Sequence, residues 1–165
     1  MYETPGDLDW LQSIIDRSHR EATAHLRAIW SDEYKIQADE LPALLSGMQL
    51  LVLATVTARG EPRVGPVDGL FYRGRFWFGS SGRSARFAHI RRRPQVSATH
   101  IRGEDFAIVV HGAARTIDTS DPANADFVAY CREVYPHWDS FGPGEPYASI
   151  EPSKMFTFRK ENRHP

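Results

Sequence analysis

Arg63, Arg83 and Arg86, together with Ser80-Ser81-Gly82 and Ser84, are residues of the types that hold a phosphate. Arginine offers a forked, permanently charged set of donors. A small polar loop containing glycine, placed just before a helix, adds free backbone N–H groups and the positive end of the helix dipole. The chemistry these residues suit is the anchoring of a phosphorylated cofactor. The same residues also fit surface arginines flanking a capped helix. Gly65, Pro66 and Gly69 fall within one strand-like stretch. Proline removes a ladder donor and glycine has no side chain to pack. A flat ligand laid against this strand accounts for both features, and so does an edge strand.

Other chemistries are less well provided for. His100 and His111 lie on successive strands, but a turn near Gly103 pairs His100 with Asp105 or Phe106 and His111 with Gln95, too far apart for a shared metal. His19 and His25 lack the i, i+4 spacing of a helical metal pair. Arg91-Arg92-Arg93 offers a groove for an anionic tail, or simply complements a helix C-terminus. Cys131 is the single cysteine, which excludes an intrachain disulfide. No Ser/His/Asp order, paired-carboxylate pattern or phosphate loop of the nucleotidase type stands out.

The elements that must position the arginines follow from hydrophobic patterning. Leu50 to Thr57, Arg63 to Tyr72 and Arg75 to Gly79 read as three strands of a meander, turning at Ala58–Glu61 and at Arg73-Gly74. A helix opens at Ser84 and stops before Pro94. Gln95 to Arg102 and Asp105 to Thr116 read as two more strands, with Gly112 a bulge or a point of close approach. Asp121-Pro122 starts a helix whose buried face is Phe127, Cys131, Val134 and Tyr135. Residues 136–150 read as an aromatic loop, and Lys154 to Lys160 as the last strand. Ahead of all this, a helix capped by Asp7 runs to about Trp30, with Leu8, Leu11, Ile15, Ala22, Leu26 and Ile29 on one face. A short second helix has Pro42 in its first turn and Gly47 past its end.

The chain of 165 residues is 41% hydrophobic and 25% charged, with a net charge of −1. That balance describes one globular domain with no general attraction to nucleic acid or to anionic membranes. Of its 20 basic residues, 17 are Arg. No apolar run approaches the ~20 residues of a membrane span, and none resembles a signal peptide, so a cytoplasmic location is expected. The expected organisation is an N-terminal helical extension, 1–48, packed on a barrel domain, 49–165. Direct hairpins exclude a doubly wound sheet. The fold class is mainly β with peripheral α: a six-stranded antiparallel barrel with N-terminal helices.

The succession LATVTARGEPR, the strand beginning at Arg63, RFWFGSS, SARFAHIRRRP and QVSATHI resembles the flavin-binding split-barrel family, also called pyridoxamine 5'-phosphate oxidase-like. The resemblance covers roughly Leu45 to Thr116, and the last strand more loosely. It implies a Greek-key-like split barrel, a homodimer, and FMN in a cleft at the subunit interface, with a small-molecule substrate and no nucleic-acid or membrane partner. Position by position, it places Arg63 near the flavin phosphate and Val64, Gly65 and Pro66 under the ring. Phe78, Gly79 and Ser80 fall beside the ring and ribityl chain. Ser84 and Arg86 match two residues of the phosphate segment; its middle basic residue is Ala85 here, with Arg83 one place earlier. Asp68 stands where the namesake oxidases carry a substrate-contacting Lys. The implied activity is therefore flavin-dependent hydride or electron transfer to a different substrate, with Asp68, Tyr72 and the Trp138–Tyr147 loop as walls of its pocket. A deazaflavin coenzyme in place of FMN, with Arg91 to Arg93 for its anionic tail, and a non-catalytic flavin-binding sensor or scaffold are the alternatives.

Overall fold

A computed structural model describes residues 2–160. Six antiparallel strands close a barrel: β1 (Gln49–Val56), β2 (Pro62–Tyr72), β3 (Arg75–Gly79), β4 (Gln95–Arg102), β5 (Phe106–Ile117) and β6 (Tyr147–Arg159). Around the barrel the order is β1-β2-β3-β6-β5-β4. The meander β1-β2-β3 is tied by tight turns. Tyr72 pairs with Arg75, and Arg73 and Gly74 both take positive φ, 50° and 73°, as a two-residue hairpin matching the strand twist requires.

Inward positions alternate along β1, where Leu51 and Leu53 enter the core while Leu50 and Val52 face out. Gly112 marks a bulge: the register with β6 shifts between His111 and Gly112, and a Cβ on Gly112 would stand 2.0 Å from the Glu151 carbonyl oxygen. The β4–β5 hairpin loop takes three residues, Gly103 to Asp105, and Arg102 pairs with Phe106. His100 therefore faces Ile108 and His111 faces Ser97, a register different from the one expected with a shorter turn.

The helix α1 (Pro5–Arg20) is capped by Thr4, not Asp7. Asp7 is the third residue of the helix, and its carboxylate accepts the Thr4 amide, completing a capping box. The single helix expected to reach Trp30 is broken at Glu21–Thr23, and Thr23 caps a separate α2 (Ala24–Ile29). The break has a cause in packing. Ser18 Oγ accepts the Met155 amide and His19 Nε2 accepts the Thr157 amide, so the end of α1 is fastened to β6. The expected stripe divides accordingly: Leu11 and Ile15 are buried, whereas Ile29 is half exposed. After the short α3 (Leu41–Leu44), Gly47 takes a φ of 74° and leads into β1. Leu11, Ile15, Ile36, Leu41 and Leu45 share one core with the barrel interior.

Three helices cover the barrel at the site: α4 (Ala85–Arg92), α5 (Ala125–Val134) and α6 (Trp138–Phe141). A second core of aromatic rings lies beneath α5 and α6. Tyr72 stacks on Tyr130 at 5.2 Å, and Trp77 on Phe127 at 4.2 Å. The stretch expected as loop to Ile150 instead enters β6 at Tyr147. Its pairing with β3 and β5 overrides a local pattern interrupted by Pro152.

Candidate functional site

Arg86 is the hinge of the site. It projects from the second residue of α4 and donates to two other elements: Nη2 to the Pro66 carbonyl of β2 at 3.0 Å, and Nη1 to Ser80 Oγ at 3.5 Å. Gly65 lies alongside, where an added Cβ would be 3.7 Å from Arg86 Nη2. The fold therefore brings together Gly65, Pro66, Ser80 and Arg86, which are spread over 22 positions of sequence.

Ser84 caps α4 by accepting the Phe87 amide at 3.3 Å. The Ala85 and Arg86 amides, next in line, have no acceptor among the described residues. Two N–H groups without a protein acceptor and the positive end of the helix dipole lie at the start of the helix that carries Arg86, residue types that suit a phosphate. The loop before the helix shows the same appetite for oxyanions: Glu145 Oε2 accepts the Gly82 amide at 2.7 Å. Arg91 Nη1 donates to the Gly82 carbonyl at 3.5 Å, so a second cation borders the loop. The Arg83 side chain is exposed, with no partner among the described residues.

Arg63 is placed differently. Its Nη2 pairs with Glu61 at 2.8 Å and its Nη1 donates to the Pro62 carbonyl, so the side chain lies back along its own turn. Val64 is exposed on the outer face of β2. The Phe78 side chain is buried in the barrel against Phe87, leaving only its backbone to a ligand.

Beside the arginine lies a cleft of about 530 Å³, a size that suits a small ligand. Asp68, Gly79, Ser80, Tyr135, Phe141, Glu145 and Tyr147 contribute to its wall. Ser80 thus belongs both to the cleft and to the cradle at α4. Tyr72 and Trp138 lie behind the cleft in the aromatic core; Trp138 meets its wall through the Tyr147 ring at 5.2 Å and the Phe141 ring at 5.8 Å. Burial pushes up the pKa of both Tyr135 and Tyr147, and the Asp68 charge adds to each shift. Both hydroxyls stay protonated at neutral pH. Burial also raises the Cys131 thiol to about 12, which makes it an inert core residue.

Sequence reasoning reached Asp68, Gly79 and Ser80 through the family pattern, and Phe141 and Tyr147 as part of a loop. It missed Tyr135, and it covered Glu145 only as an unnamed member of that loop. The signal for Glu145 is long-range, a carboxylate meeting an amide 63 positions earlier. The imidazoles are engaged elsewhere: His100 with the Leu50 carbonyl, His111 with Ser97, His89 with Thr55. Among the described residues no group of three or more His, Cys, Asp or Glu is arranged to hold a metal.

A closed six-stranded antiparallel barrel with a capped helix start and a cleft beside it has the architecture of the split-barrel class. The sequence profile of the pyridoxamine 5'-phosphate oxidase family matches residues 38–159, and the chain belongs to that family. No curated protein matches it. Among solved structures, it is similar to a conserved hypothetical protein from Mycobacterium tuberculosis at 17% identity and a TM-score of 0.66, over 78% of this chain and 88% of that one. HutZ, a heme storage protein from Vibrio cholerae, is 18% identical with a TM-score of 0.62, over 73% and 93%. An F420 reductase is 18% identical with a TM-score of 0.52, over 69% and 94%. At these identities the likeness is one of fold.

Proposed function

We propose that this protein is a flavin-dependent oxidoreductase that holds FMN at the α4 cradle and acts on a small molecule other than pyridoxamine phosphate. The observation that carries the reading is Arg86 reaching from the start of α4 to Pro66 and Ser80, on a helix whose Ala85 and Arg86 amides have no acceptor among the described residues. These groups would hold the phosphate. Gly65 and Pro66 would support the ring, with the Phe78–Ser80 backbone beside it. Bound there, the flavin supplies hydride or electron transfer, while the chain supplies orientation and shielding from water. Asp68 stands where the namesake oxidases carry a substrate-contacting Lys, which argues for a different substrate.

The functional unit in this reading is a homodimer. Leu50, Val64 and Ile101, with Val52 at the centre, are 57%, 71%, 56% and 41% exposed on the outer faces of β1, β2 and β4. Val52 pairs with Pro66 on one side and Thr99 on the other, so this face spans three strands, with Thr99 and Asp68 as polar neighbours of Val52 and Leu50. An exposed apolar surface of this kind is best covered by a second copy, on a two-fold axis.

A deazaflavin is the second reading, favoured by Arg91 against the cradle loop, where a longer anionic tail would find charge. Titration with FMN and with a deazaflavin, followed by fluorescence, tests both. Saturable quenching by FMN supports the first reading. Binding of the deazaflavin alone replaces it with the second, and binding of neither rejects both.

A further inference from the structure

We infer that the cleft between Asp68 and Glu145 binds a small organic cation, a protonated or alkylated amine. Calling this molecule the substrate rests on the flavin reading; its binding does not.

The charge of the wall is one-sided. Asp68 and Glu145 line it, and no Lys, Arg or His does. The Asp68 carboxylate has no hydrogen bond or ion pair among the described residues. Glu145 commits one oxygen to the Gly82 amide and leaves the other free. Two guanidiniums stand outside the wall: Arg86, turned toward Pro66 and Ser80, and Arg91, against the Gly82 carbonyl. An anionic ligand would sit among carboxylates, whereas a cation would be attracted by them.

The remaining wall is aromatic. Tyr135 and Phe141 meet nearly at right angles, 82° with centroids 5.8 Å apart. Tyr147 completes the set, held by Trp138 at 5.2 Å and Phe127 at 5.4 Å. Gly79 makes room for that ring: a Cβ there would stand 2.5 Å from Tyr147 Cζ. Aromatic faces backed by carboxylates are how proteins recognise ammonium groups.

A further observation is independent of charge. Tyr147 is only 6% exposed, and its hydroxyl has no partner among the described residues. Every buried side-chain polar atom among those residues is nevertheless partnered. The hydroxyl therefore opens into the cleft, where its oxygen can accept an N–H or turn its dipole to a positive charge.

The test is calorimetric titration with choline, with butylammonium, and with the neutral isostere of choline in which carbon replaces nitrogen. At least one cation is expected to bind saturably, and the isostere about 10-fold more weakly than choline. Asp68→Asn should weaken cation binding about 5-fold or more while leaving FMN affinity unchanged. Phe141→Ala, at a half-exposed position, should weaken it without loss of fold. No saturable binding of either cation, an isostere as tight as choline, or an Asp68→Asn variant that binds both cations normally overturns the inference. Cation binding in a protein that fails to take up flavin overturns the cofactor reading and leaves this one standing.

Discussion

Replacing Arg86 by Ala removes the cation that the fold holds between the start of α4, Pro66 and Ser80. Its guanidinium is oriented by the Pro66 carbonyl at 3.0 Å and by Ser80 Oγ at 3.5 Å, so its side chain is ordered before any ligand arrives. Hydrogen bonds to charged groups contribute about 1.5–3 kcal/mol each. One such contact to the cofactor phosphate predicts FMN affinity weakened roughly 10- to 100-fold. The hydrogen bonds that Arg86 makes to Pro66 and Ser80 are partly solvent-exposed, so the stability cost should stay within about 1 kcal/mol. Fluorescence titration of FMN against wild type and variant gives the affinities, and thermal unfolding supplies the control. Arg63→Ala, expected from sequence to cost as much, should cost less than about 10-fold, because Arg63 must first leave Glu61 at 2.8 Å. An Arg86→Ala variant that unfolds normally and binds FMN as tightly as wild type refutes the cradle.

Other outcomes follow from the same structure. Thr157→Val removes the hydroxyl that accepts the Ile36 amide at 3.1 Å and donates to its carbonyl at 2.9 Å; denaturant titration should show a loss of roughly 2–4 kcal/mol. Gly112→Ala drives a methyl into the Glu151 carbonyl and should lower stability by about 1–3 kcal/mol or more, read as a fall in thermal midpoint. Burial lowers the pKa of His19, whose Nε2 accepts a backbone N–H, and also lowers those of His100 and His111. The unfolded chain therefore binds protons that the folded chain refuses as pH drops below ~6.5. The thermal midpoint should fall between about pH 7 and pH 5; a constant or rising midpoint contradicts this. Leu50→Asp should turn a dimer into a monomer in sedimentation experiments, and a wild-type protein that is already monomeric removes the dimer from the account.

Strands bounded by turn residues were legible because their signals are local. Gly60, Arg73-Gly74 and Gly103 adopt the positive φ values that end β1, β2 and β4, and β3 and β4 have the expected limits. The two ends of α4 were equally legible from Ser84 and Pro94. The break after α1 was not, because the apolar stripe through Leu26 and Ile29 carries no sign that Ser18 and His19 are held by β6. The first half of β6 was hidden for the same reason: Tyr147 to Ile150 becomes strand only through its partners on β3 and β5. At the site, residue types were readable and their directions were not. Arg63 and Arg86 look alike in sequence, yet one folds back on Glu61 and the other reaches across to Pro66.

The central claim is that the α4 cradle holds a flavin phosphate, and the most direct measurement is the identity of the chromophore released when the purified protein is denatured. The expected result is a yellow protein that yields FMN and takes it up again at a stoichiometry of one per chain, with lower affinity when Arg86 is replaced. A colourless protein that binds neither FMN nor a deazaflavin would contradict it.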